Sequence, residues 1–286
     1  MLSGEAIMKT KTLLMAGLLV QTLVSAECVI AGEMHTEKQT LQREGAKEVA
    51  VHMEIPGGEV NIAGGAEALL EARFEYKKVE SAPEIDYQVQ DRKGILKLSV
   101  ANKESWNWDF PDEGKDWNSD GDHNQWDLQF NDEVPLDLSL KVGAMDGDLD
   151  LRGLTLQGLR IEVGAGDIEV DLRGQWTGNT EAVIEMGAGN IELEFPQDIG
   201  IAVVAENGVG SVHINGLSKV DGEQVESEGF EIPFLGLEFK PKKGGWFDLH
   251  LGTSGVWTNE AYGKVDTNLR LRVKLGVGAL NVDVED

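Results

Sequence analysis

Gly164-Ala-Gly-Asp-Ile-Glu-Val-Asp-Leu172 returns as Gly187-Ala-Gly-Asn-Ile-Glu-Leu-Glu-Phe195. Looser copies run from Gly143 to Leu151, from Gly208 to Gly216 and from Gly276 to Val284, so the first glycines step by 21, 23 and 21 residues before a long gap. Self-similarity at that period marks a repeated supersecondary unit, in which each copy buries its apolar face against its neighbours.

Alternation surrounds the phrase. Leu159, Ile161 and Val163 alternate with Arg160 and Glu162 before the glycines, and Ile168, Val170 and Leu172 alternate with Glu169 and Asp171 after them. Strands of period two with one buried and one charged face follow, joined where Gly-Ala-Gly permits a sharp bend. Leu138, Leu140 and Val142 precede Gly143, and Leu271, Val273 and Leu275 precede Gly276, in the same relation. If each phrase is a hairpin loop, the array is an antiparallel β-sandwich; if it is a corner, each repeat is one coil of a parallel β-solenoid. The residues alone leave these two all-β architectures tied.

Upstream, short alternating runs occupy Val49–Met53, Glu59–Ile62, Arg73–Tyr76, Ile85–Val89 and Ile95–Val100, with Gly57-Gly58 and Gly64-Gly65 at expected turns. Residues 101–133 break the pattern with ten acids, two lysines and four of the seven tryptophans, and read as a long acidic loop. Residues 217–268 interrupt the repeats and carry strand-like pieces at Phe230–Lys240 and Trp246–Leu251. The expected organisation is a leader over 1–26, a flexible segment over 27–44, an N-terminal region over 45–133, and a repeat region over 134–286 whose last copy forms an outer edge.

The leader reading rests on Lys9 and Lys11, the apolar run Leu13 to Val24, and Val24-Ser-Ala26 as a small-residue cleavage site. It implies a periplasmic or secreted protein. No later stretch approaches the roughly 20 apolar residues of a transmembrane helix. Lipid attachment at Cys28 is disfavoured, because Glu27 stands where a small residue normally precedes the modified cysteine. With one cysteine the chain forms no internal disulfide. Its 51 acids against 25 Lys and Arg, a formal charge of -26, exclude nucleic acid and favour divalent cations, cationic peptides or basic protein faces.

At this point the chain resembles the toast-rack domains. The resemblance is carried by the repeated Gly-Ala-Gly-Asp/Asn phrases, by Gly276-Val-Gly-Ala-Leu-Asn-Val-Asp-Val284, and by Gly57-Gly-Glu-Val-Asn-Ile-Ala-Gly-Gly65 followed by Leu70-Glu-Ala-Arg-Phe-Glu-Tyr76. The closing repeat is similar to the C-terminal part of LiaF-type proteins, which belong to the bacterial response to cell-wall-active antibiotics. The resemblance implies a short, single-stranded β-solenoid of about five repeats. It supplies no catalytic residues, and the transmembrane helices of LiaF-type proteins have no counterpart here.

Two candidate sites fall in the acidic loop. Counted from Asp116, oxygen ligands stand at positions 1, 3, 5, 9 and 12 of an EF-hand-like loop with Gly121 at position 6, nominating Asp116, Asn118, Asp120, Asp122, Asn124 and Asp127 for calcium. Asp127 replaces the usual bidentate Glu, and no helical periodicity flanks the loop. Trp106, Trp108, Trp117 and Trp126 lie among these carboxylates and suit a sugar face or a cationic peptide; the competing reading has them capping the solenoid core.

In a solenoid the outward residues form columns: Asp148, Glu169, Glu192 and His213 in one, Asp150, Asp171, Glu194 and Asn215 in the next, and Asp146, Asp167, Asn190 and Ser211 at the bend. Stacked acids need Arg or Lys neighbours or bound cations, or else act as a solubility device, while the bend column reads as turn chemistry. The five histidines lack metal-ligand spacing, and no nucleophile motif is present. The expected protein is a non-enzymatic binding or scaffold module of the cell envelope without an obligatory cofactor, contacting an envelope protein, a glycan or a cationic peptide, with a link to envelope stress. The alternative is a polysaccharide lyase or hydrolase using carboxylate pairs such as Asp148 and Asp150.

Overall fold

The computed structural model describes residues 34–100, 124–220 and 253–284, and the backbone of the short strands at 25–26, 230–232 and 237–239. Apart from Ser25-Ala26, the expected leader and Cys28 lie outside the described residues, as does the strand-like piece at Trp246–Leu251. Among the described residues no helix is long and apolar enough to cross a membrane.

Almost everything described is strand. The first half supplies β1 (Ser25–Ala26), β2 (His35–Leu41), β3 (Glu48–Ala63), β4 (Leu70–Tyr76), β5 (Pro83–Gln90), β6 (Lys93–Val100), β7 (Asn124–Phe130) and β8 (Leu136–Asp150). The second half supplies β9 (Thr155–Asp171), β10 (Gln175–Trp176), β11 (Asn179–Phe195), β12 (Gly200–Ile214), β13 (Ser218–Lys219), β14 (Phe230–Ile232), β15 (Leu237–Phe239), β16 (Thr253–Thr258) and β17 (Asn268–Val284).

The long strands decide the architecture. β3, β8, β9, β11, β17 and β12 stack in that order, every neighbouring pair parallel and in register, so the repeat is a solenoid coil and the antiparallel sandwich is excluded. Each coil has a first arm, a corner at the glycine phrase and a second arm. Inward residues of the first arm stack as Met53, Leu140, Ile161, Ile184, Val273 and Ala205, and those of the second as Ile62, Leu149, Val170, Leu193, Val282 and Ile214. All but Ile214 are buried. Burying a side chain of this size contributes about 1.5–3 kcal/mol, whereas a stacked like-charge pair on the outer face costs about 0.2–1 kcal/mol. The stack therefore tolerates its acidic exterior.

Two sequence expectations are corrected. Val49–Met53 and Glu59–Ile62 are not separate strands around a turn: β3 is continuous, and Gly57 and Gly58 align with Ala144 and Met145 of β8. The array thus begins in the N-terminal region and has six coils of long parallel strands rather than about five. The last repeat is also not an outer edge. β17 lies between β11 and β12, bonded to both along nearly its whole length, because β11 and β12 leave a one-strand gap that the returning chain fills. Glu192 and His213 are accordingly separated by Asn281.

The ends are finished by antiparallel strands. At the N-terminal end β6 and β7 add parallel strands to the first and second arms of β3, and β5 then pairs with β6, and β4 followed by β2 with β7, all antiparallel. At the other end β16 pairs antiparallel with the first arm of β12.

The corner is where the repeat is most constrained. Gly58, Gly166, Gly189, Gly278 and Gly210 all have φ between 135° and 144°, a region closed to most side chains. They stack in register, and a Cβ on Gly189 would be driven into the carbonyl oxygen of Gly166, as one on Gly278 would into that of Gly189. Met145 occupies this column in β8, and its side chain turns inward over Gly147, filling the core position that Gly147 leaves open. Gly189→Ala is expected to destabilise the protein by about 3 kcal/mol or more in urea unfolding. Gly178→Ala, whose Cβ meets nothing within 4 Å, should cost about 1 kcal/mol. Equal costs would show that φ alone, rather than the approach of stacked coils, requires the glycine.

Candidate functional site

The outward face of the second arms carries an ordered array of polar side chains. Strand alternation aims every second residue outward, and the parallel register sets equivalent residues about 4.8 Å apart. From the corner outwards the rows read Asp146, Asp148, Asp150 on β8; Asp167, Glu169, Asp171 on β9; Asn190, Glu192, Glu194 on β11; Ala279, Asn281, Asp283 on β17.

The three columns behave differently. Nearest the corner, the Asp167 Oδ1 accepts from the backbone N–H (3.0 Å) and the side-chain amide (2.8 Å) of Asn190, and the Asp146 Oδ1 accepts from the Asp167 N–H at 3.3 Å. This is the turn chemistry expected, running from each coil to the next.

The outermost column is neutralised by arginines from the inter-coil turns. Arg152 grips Asp150 with two bonds of 2.8 and 2.7 Å and reaches Asp171 at 3.1 Å, while Arg173 grips Asp171 at 2.9 and 2.6 Å and reaches Glu194 at 2.5 Å. Bidentate guanidinium pairing of this kind fixes both partners in direction. The bonds from Arg152 hold the Asp150 carboxyl below the usual carboxylate range, against partial burial that pushes it up. Asp148 and Asp150 are therefore not an interchangeable acid and base pair, since Asp150 is committed to Arg152.

Between them stands Asp148, Glu169 and Glu192, flanked by Asn61 and Asn281. Among the described residues no hydrogen bond or ion pair engages these three carboxylates. Glu169 and Glu192 line a shallow depression of about 320 Å³ together with Gly147, Asp167, Ile168, Asn190 and Asn281. No group of three or more His, Cys, Asp or Glu among the described residues is arranged to hold a metal ion.

The loop candidates separate. Asp116, Asn118, Asp120, Asp122, Trp106, Trp108 and Trp117 lie outside the described residues. Asn124 and Asp127 belong to strand β7 and point to opposite faces of it. The Asn124 side chain donates to the Gly57 carbonyl and accepts from the Trp126 indole, both at 2.9 Å. Asp127 accepts from Asn61 at 3.0 Å, Gln125 at 3.1 Å and Arg73 at 3.2 Å. Burial raises its pKa, but these bonds outweigh it and leave the carboxyl below its ordinary value. Neither residue can therefore share one cation with the other. Trp126 is corrected from binding surface to core: it is 0% exposed and meets Phe74 edge to face at 4.9 Å. The capping reading holds for this ring.

What the sequence missed is the pairing role of Arg152 and Arg173. Each stands two residues beyond an acid of the repeat, in Asp150-Leu-Arg152 and Asp171-Leu-Arg173, and that spacing was the available signal.

The family model for the N-terminal domain of toast_rack, DUF2154, matches residues 30–194, and the chain belongs to that family. A solved structure of a candidate cell adhesion protein from Clostridium sporogenes is 26% identical, covering 88% of this chain and 100% of its own with a TM-score of 0.69. A candidate adhesin from Bacteroides fragilis is 10% identical over 88% of this chain and 98% of its own, at a TM-score of 0.26. No curated protein matches the chain.

The arginine ladder predicts a pH dependence. A carboxyl whose folded pKa lies below its unfolded value of about 4 adds stability that is present above that value and is lost as pH falls through the folded pKa. Arg152→Met is therefore expected to lower stability slightly at pH 7, since the pair is largely exposed, and progressively less below about pH 4. Urea unfolding at pH 7 and pH 3 checks this, and an equal loss at both would assign Arg152 a packing role instead.

Proposed function

We propose that this toast-rack protein is a non-enzymatic, extracytoplasmic binding or scaffold module of the bacterial cell envelope, whose second-arm face receives a basic peptide or the basic surface of an envelope protein. One observation carries the reading: Asp148, Glu169 and Glu192 stand in line beside a column that arginines have neutralised and another that serves the corner. Carboxylates held at fixed spacing without cationic partners attract cations most strongly where they stack, and a partner carrying several Lys or Arg relieves their mutual repulsion.

The surrounding architecture suits recognition more than chemistry. The depression on this face is shallow, and the Asp150 carboxylate beside Asp148 is bound by Arg152. Membership of the toast-rack family and the likeness to a candidate cell adhesion protein support a binding role. The extracytoplasmic part of the reading rests on the leader-like residues Lys9 to Ala26.

A decalysine peptide provides the probe. Titration calorimetry should show binding that weakens as salt rises from about 0.05 to 0.5 M, because exposed charge pairs are screened. In the combined variant Asp148→Asn, Glu169→Gln, Glu192→Gln the dissociation constant should rise about tenfold or more, about 1.4 kcal/mol. An unchanged constant would remove this face from the reading, and cleavage products from an acidic polysaccharide would replace it with the lyase or hydrolase alternative.

A further inference from the structure

Four sheet ends close the two arms of this solenoid, and among the described residues three of them finish in antiparallel strands. At the N-terminal end these are β5 on the first arm and β4 with β2 on the second; at the C-terminal end β16 covers the first arm of β12. The fourth end is the second arm of β12, Ser211 to Ile214, which pairs with β17 on one side and with no described strand on the other. In the layer occupied by β16 on the first arm, no described strand stands at the second-arm position. A bare strand edge displays unpaired N–H and C=O groups and is a template for another strand.

The usual protection of such an edge is charge, and here charge has been withdrawn from it. Counting the three outward columns coil by coil, β8 carries Asp146, Asp148 and Asp150, and β9 carries Asp167, Glu169 and Asp171. β11 keeps two acids, Glu192 and Glu194, and β17 only Asp283. The second arm of β12 presents Ser211 and His213, followed by Asn215, with no acid in these columns. On a chain with a formal charge of -26, this end of the face is where the described outward columns oppose a second, equally acidic molecule with the fewest carboxylates.

Apolar surface increases at the same end. The outer corner column reads Gly57, Ala144, Ala165 and Ala188 through four coils, then becomes Val277 and Val209, which are 49% and 45% exposed and lie side by side. Val212 and Ile214, whose counterparts Ile191 and Leu193 are buried, are only partly covered.

We propose that Ser211–Ile214 is a self-association edge: two copies of this chain pair these strands antiparallel about a two-fold axis, each adding a strand to the edge that no described strand of the other covers. An antiparallel strand pair is self-complementary under a two-fold axis, so one surface serves both copies and the contact closes at a dimer. Val209 and Val277 lie at the margin of the contact, and Val212 and Ile214 gain cover from their counterparts. This proposal is independent of the basic-partner reading, since it uses the coil end that lacks the acids that reading requires.

Sedimentation equilibrium on the full chain tests it, from about 10 μM to about 500 μM, the range in which a small interface of the transient class assembles. A monomer–dimer equilibrium is expected. Ser211→Glu with His213→Glu, both at exposed positions, should weaken the dimer about tenfold or more while leaving the thermal unfolding of the monomer in place. Val79→Glu, at an exposed site of the opposite end, should leave the dimer unchanged. A chain that stays monomeric throughout the range, or a dimer indifferent to the Ser211 and His213 substitutions, would overturn the proposal.

Discussion

The structure depends on how closely one coil's backbone can approach the next at the corner. Parallel strands lie about 4.8 Å apart, which leaves no room for a Cβ pointing along the stacking axis. At Gly166, Gly189, Gly278 and Gly210 the chain turns so that the missing Cβ would point into the carbonyl oxygen of the neighbouring coil. Because the corners superimpose, the arms superimpose, and with them every inward apolar column and every outward polar one. The exception in β8 follows the same rule: Met145 takes the glycine position without the positive φ, and Gly147 gives up its own side chain so that Met145 can enter the core.

Superposition creates an electrostatic problem that the chain answers differently in each column. At the corner, carboxylates are bonded to the N–H groups of the next coil; at the far side, Arg152 and Arg173 alternate with Asp150, Asp171 and Glu194. The middle column has neither device and is bounded by amides, with Asn61 on one side and Asn281 on the other. Inward burial makes this affordable, because each coil adds several apolar side chains to the core while its acids add fractions of a kcal/mol of repulsion. The middle column is thus the one whose charge the fold leaves uncompensated.

The glycine phrase and its flanking triplets were legible because steric need and burial both write directly into residue type. The solenoid itself was tied with a sandwich on the residues and was separated only by the resemblance. The first coil was hidden because Pro56 stands where other copies have their first glycine, so Pro56-Gly57-Gly58-Glu59-Val60-Asn61-Ile62 reads as a turn between strands. The position of β17 was illegible for another reason: repeat similarity says that copies stack, but carries nothing about their spatial order. Of the candidate site residues, Asn124, Trp126 and Asp127 had the right residue types in a plausible loop, but their alternation as a strand, with Trp126 inward and Asp127 outward, was masked by the acidic composition around them.

The placement of β17 inside the stack tests the whole arrangement, since the chain leaves after β12 and returns to lie between β11 and β12. Hydrogen exchange of the native protein measures it directly. If Leu269 to Val282 bonds to both β11 and β12, its amides should be protected as strongly as those of Leu159 to Val170 in β9, and opening should occur only with global unfolding. Rapid exchange along Leu269 to Val282, at rates typical of an edge strand, would contradict the interior position of the last repeat and the coil order built on it.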